Sequence, residues 1–164
     1  MNDHLKHIRR AAAGGLWGSV GAVILAALFV LASPWRFYPN AFTARTMLVV
    51  STVLAVLVVS STLLTIRRHI PQLRQTEALE EKLCCYESHI GGIYWSTLAA
   101  VVIIAVLAVL SAQSALLMLA MVATLVLILA YPNIYRIKVD QGLTDEEMQS
   151  LFGDRYIAEN KDDK

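Results

Sequence analysis

The sequence predicts an all-α integral membrane protein: a four-transmembrane-helix bundle with an amphipathic cytoplasmic helix between spans 2 and 3 and a short C-terminal cytoplasmic helix. Three observations carry that prediction. The 164 residues are 57% hydrophobic and 16% charged, with a mean hydropathy of +0.56, which is too apolar for a domain surrounded by water. The charges fall in short blocks and leave uncharged runs at 11–35, 46–66 and 88–135, each at least as long as the roughly 20 residues that cross a bilayer. None of these runs alternates with a period of two. Lipid cannot satisfy backbone N–H and C=O groups, so they must be paired within helices rather than across barrel strands.

Each element follows in order. Residues 1–10, with Lys6, Arg9 and Arg10, form a cytoplasmic N-terminus, and His4 and His7 there are expected to be solvated. Span 1 covers 11–33 and is closed by Pro34, after which Trp35, Phe37 and Tyr38 sit at the headgroup level that amphipathic rings prefer. Its length and the proline argue against a cleaved signal peptide, whose apolar core is roughly 7–15 residues. Trp17, inside the span, is expected to be a packing residue. After an external loop at 34–45, span 2 covers 46–66 and ends at Arg67, Arg68 and Pro71. The run at 88–135 is about twice what one span needs, and the polar break Ser111-Ala112-Gln113-Ser114 divides it into span 3 at 93–112 and span 4 at 115–131, stopped by Pro132.

Two cytoplasmic pieces remain. In 67–92 the residues Leu79, Leu83, Tyr86 and Ile90 fall on one helical stripe, and Gly91-Gly92 is expected to end or bend that helix. In the tail, 132–164, the stretch 133–140 reads as an extended surface segment. Thr144-Asp-Glu-Glu147 is a capping box with Leu143 and Met148 at staple positions, so a short helix is expected over 145–152, with Gly153 as its stop. Met148, Leu151 and Phe152 give that helix one apolar side. Such a helix needs a surface to rest on, so Met148, Leu151 and Phe152 are expected to pack on the stripe Leu79, Leu83, Tyr86 and Ile90 or to form one partner surface with it. No structure is expected for 159–164.

Orientation follows from the cations, because Lys and Arg in short loops are retained in the cytoplasm. Lys6, Arg9, Arg10, Arg67, Arg68, Arg74, Lys82, Arg136 and Lys138 lie on one side, against Arg36 and Arg45 on the other. Both termini are therefore expected in the cytoplasm, with the chain passing several times through the cell membrane. Within span 1, Gly14, Gly18 and Ala22 repeat every four residues, with Gly15 and Ser19 beside them, as helix-packing positions. Span 2 carries Ser51, Thr52, Ser60, Ser61, Thr62 and Thr65 but no ionisable residue, so its hydroxyls are expected to bond along or between helices rather than to relay ions.

The charge of +1 without a basic tract gives no electrostatic footprint for nucleic acid. No residue set matches a catalytic triad, a phosphate-cradling glycine loop or a haem-ligating histidine pair, so no catalytic residue and no cofactor is expected. Glu81, Cys85 and His89 recur at intervals of four and are the weak candidate for a metal or activated-thiol site. The sequence leaves three functional expectations. The first is a non-enzymatic scaffold or accessory subunit whose partners are the lipid bilayer and another copy or another membrane protein. The second is a small carrier or lipid-handling protein for an uncharged or amphipathic ligand, and the third is a thiol or metal enzyme.

Overall fold

A computed structural model describes residues 2–32, 41–69, 78–111 and 113–152, and every regular element among them is helical. The helices are α1 (Asn2–Ala32), α2 (Ala41–Leu64, continued by a π-helical turn at Thr65–His69), α3 (Leu79–Ser111), α4 (Ser114–Leu129), α5 (Ile134–Gln141) and α6 (Asp145–Phe152). The expected stops at Pro34, Pro71 and Gly153, the aromatics Trp35, Phe37 and Tyr38, and residues 159–164 lie outside the described residues.

Three helices, α1, α2 and α3, are long and apolar enough to cross a membrane. Residues of the apolar windows are buried to 17% in α1, 22% in α2 and 44% in α3, which makes α3 the central helix. It packs against α1, α4 and α2. α4 has 16 residues, a rise of about 24 Å against a hydrocarbon core of about 30 Å. It reaches spanning length only together with α5, from which it is bent by 75°. The bend has a local cause. Pro132 cannot continue the α4 ladder, and Asn133 starts α5 afresh as its N-cap, its side chain accepting the Arg136 N–H at 2.6 Å.

α1 is helical from Asn2, so the N-terminal charges ride on the helix itself. The sequence expectations are corrected at two joints. α3 runs unbroken through Gly91 and Gly92. Leu83, Tyr86, Ile90, Ile93, Tyr94, Thr97, Val101 and Ile104 form one buried stripe in helical phase on both sides of the glycine pair, and the gain from burying it exceeds the about 1 kcal/mol per glycine that the helix loses. Residues 134–141 are helical rather than extended. Ile134, Ile137 and Gln141 are the buried positions, and Gly142, at φ 63°, supplies the left-handed cap while the Leu143 N–H reaches back to the Lys138 carbonyl at 3.0 Å.

Packing divides the chain into two ends. At the charged end, Leu5 and Ile8 of α1, Leu83, Tyr86 and Ile90 of α3, Leu127 of α4, Ile134 and Ile137 of α5, and Leu143, Met148 and Leu151 around α6 make one core, with Ile66 after α2 against it. In the apolar half, Ala55 of α2 meets Val101, Ile104 and Ala108 of α3 and Leu116, Ala120 and Ala123 of α4. The starts of α1 and α3 thus lie beside the end of α4. Gln113, in the α3–α4 turn, donates to the Ala44 carbonyl near the start of α2 at 3.4 Å, so helices consecutive in sequence alternate in direction, while α1 and α3, packed side by side, run parallel.

Candidate functional site

A mixed polar and apolar hollow lies where α1 and α3 leave the charged end. His7, Arg10 and Ala11 fall on one side of α1 at helical spacing, and Cys84, Glu87, Ser88, Gly91, Gly92 and Trp95 follow one stripe of α3. Together they line an open cleft of about 710 Å³. It exists because side chains are missing from its wall: a Cβ at Gly91 or Gly92 would meet nothing within 4 Å.

Glu87 organises the charged rim. The His4 imidazole donates through Nδ1 to one carboxylate oxygen at 2.6 Å and His7 Nδ1 to the other at 3.2 Å. These two histidines keep solvent-exposed side chains, His7 above all, and also fasten the first turns of α1 to α3. Elsewhere at the charged end, buried Tyr94 donates to the Leu127 carbonyl at 2.8 Å and buried Tyr86 to Asp140 at 3.1 Å, with Arg136 Nε 3.5 Å from the same carboxylate. On the far side, Arg9 lies 5.9 Å from the centre of the Phe152 ring, a cation–π contact tying α1 to α6.

The capping box of α6 is formed. The Thr144 N–H donates to Glu147 at 2.8 Å, and the Glu147 N–H returns to the Thr144 hydroxyl at 3.3 Å. The Thr144 N–H holds the Glu147 carboxyl below its ordinary value, the slight burial opposing it. Leu79, Leu83, Tyr86, Ile90, Met148, Leu151 and Phe152 all join the charged-end core. The stripe and the apolar side of α6 thus belong to one core within the chain.

Other sequence candidates separate. Glu81, Cys85 and His89 do not converge: His89 Nδ1 is turned to the Cys85 carbonyl at 2.7 Å, and no group of three His, Cys, Asp or Glu fit to hold a metal exists among the described residues. Cys84 is exposed and Cys85 half-buried, both as free thiols. Of the packing glycines, Gly14 faces open space, whereas a Cβ at Gly15 would lie 2.8 Å from Tyr94 Cβ and one at Gly18 3.0 Å from Leu98 Cδ1. Ala22 packs against the apolar-half core, so the seam runs through Gly15, Gly18 and Ala22. Trp17, expected to pack, is 71% exposed. In α2, Thr52, Ser61 and Thr65 donate back to carbonyls of their own helical segment, while the buried hydroxyls of Ser51 and Thr62 have no partner among the described residues.

Sequence reasoning missed His4, His7, Arg10, Glu87 and Trp95 as a group. The helical spacing within each set was visible, but nothing local announces that residue 7 faces residue 87. No known protein family, curated protein or solved structure matches the chain.

Proposed function

We propose that the chain is a non-enzymatic, multi-pass protein of the cytoplasmic membrane that works by assembling with itself or with a larger membrane complex. One observation carries this reading: an apolar groove of about 320 Å³ between α1 and α3, walled by Ala22, Ala26 and Ala105 and rimmed by Leu25, Phe29 and Val106. Lipid tails are as apolar as any side chain, so helices associate in a bilayer where small residues let backbones come close. A groove of this kind suits the ridge of another helix. The same reading puts both termini in the cytoplasm, since the cations of α1, α3 and α5 and those following α2 gather at one end.

The test is the mass of the particle in lipid nanodiscs, for the parent and for Val106→Trp, which fills the groove from an exposed position. The parent is expected above monomer mass and the variant at or near it. A strictly monomeric parent that brings no other membrane protein with it ends the assembly reading. Sidedness is tested separately with an impermeant maleimide on intact cells: exposed Cys84 is expected to react only after lysis.

The cleft supports a second reading, a lipid-handling protein for an amphipathic ligand. Its lining changes from charged to apolar along the helix axis, from His7, Arg10 and Glu87 to Ala11, Gly91, Gly92 and Trp95, and an amphipathic molecule changes in the same way.

A further inference from the structure

We infer that the cleft between α1 and α3 receives the phosphate of a membrane phospholipid headgroup, with Arg10 as the group that meets it. The inference rests on the second reading above and names its ligand chemistry. Arg10 and Glu87 are the last formally charged residues before the uncharged stretches of α1 and α3 begin, so the cleft straddles the level at which phosphates lie when those stretches are in hydrocarbon. Trp95, 57% exposed, stands on the apolar side of the cleft, where an amphipathic ring meets glycerol and upper acyl chain.

Hydrogen-bond partnering leaves Arg10 as the group for an anion. Both oxygens of Glu87 are engaged by His4 and His7, and among the described residues no carboxylate is paired with Arg10, which also lines the cleft. A guanidinium presents a planar fork of donors that fits two phosphate oxygens at once, and His7 stands one turn away on the same side of α1. The glycines do the rest: with no Cβ at 91 and 92, the lower cleft has room for the glycerol and the first methylenes of an acyl chain. An inorganic phosphate would use the rim and leave that apolar half empty.

The experiment is native mass spectrometry of the full chain, delipidated in mild detergent and offered three probes separately: dioleoylphosphatidylglycerol, dioleoylglycerol with the same tails and no phosphate, and inorganic phosphate. One phosphatidylglycerol is expected to be held at least about tenfold more tightly than dioleoylglycerol, with no retention of inorganic phosphate. Arg10→Gln is expected to remove that preference, and Gly91→Leu to block the lipid by filling the cleft. Arg67→Gln, outside the cleft, is expected to change neither. Equal retention of phosphatidylglycerol by Arg10→Gln and the parent overturns the proposal, and so does binding of inorganic phosphate as tight as that of the lipid. Should dioleoylglycerol bind as well as phosphatidylglycerol and Gly91→Leu abolish both, the phosphate assignment fails while the amphipathic-ligand reading stands. Retention of no lipid by the parent ends both.

Discussion

The charged end and the apolar half of this protein are held together by different kinds of residue. At the charged end the buried side chains are large, Tyr86, Ile90, Ile137 and Met148 among them, and polar groups bond across elements, as His4 does with Glu87 and Tyr86 with Asp140. In the apolar half the contacts are made largely by Ala55, Ala108, Ala120 and Ala123, and the hydroxyls of Thr97 and Thr124 turn back to their own helix. The contrast follows from the solvent. Where water is the alternative, burying a large side chain is worth about 1.5–3 kcal/mol. Where hydrocarbon is the alternative that gain disappears, and close approach of small residues takes its place.

The largest effect is expected where the two regimes meet. Gly15→Leu should leave no folded protein, because its Cβ alone would stand 2.8 Å from Tyr94 Cβ, whereas Gly14→Leu, with open space around it, should melt like the parent. Equal thermal melts for both variants in detergent would remove the α1–α3 seam from the comparison. Next come two fully buried large residues, one from each region. Met148→Ala should cost about 2–5 kcal/mol, as in soluble cores, and Leu116→Ala distinctly less, as measured by reversible unfolding. An equal cost would mean that the two regions do not see different solvents.

A smaller change of opposite sign is expected at Gln141, which is fully buried with neither side-chain polar atom bonded among the described residues. Gln141→Met keeps the length and removes the unmet groups, and should raise stability by about 1–3 kcal/mol in the same assay. The smallest effect is pH dependence confined to α6. Glu147 has its carboxyl lowered by the Thr144 N–H, so its contribution is complete at neutral pH and is lost as pH falls through the lowered value. Amide chemical shifts of Asp145–Phe152 should move in acid, those of the apolar half should not, and Glu147→Gln should flatten the response.

Much of the architecture was legible because hydropathy and helix caps are local signals. The apolar runs foretold α1, α2 and the membrane part of α3, and the capping box at Thr144 foretold α6 within its bounds. The errors arose where one local signal competed with a longer pattern. Gly91-Gly92 reads as a stop in isolation and is overridden by the stripe that continues in phase from Ile90 to Ile93 and Tyr94. Residues 134–141 carry too few apolar positions to fix a period, although Asn133 and Gly142 already marked both ends of α5. The cleft was illegible for a different reason: His7 and Glu87 come together only through the docking of α1 on α3, and a single sequence contains no record of that distance.

The continuity of α3 has a mechanical consequence. Its 33 residues make a rod about 50 Å long, with α1 packed along it, residues of α5 and α6 against one end and α2 and α4 against its other half. An unbroken helix carries a tilt at one end toward the other, so a shift of the α5–α6 cap is expected to be felt where α2 and α4 pack. The glycine pair leaves the rod thin at the cleft without cutting it, which makes that level the natural fulcrum.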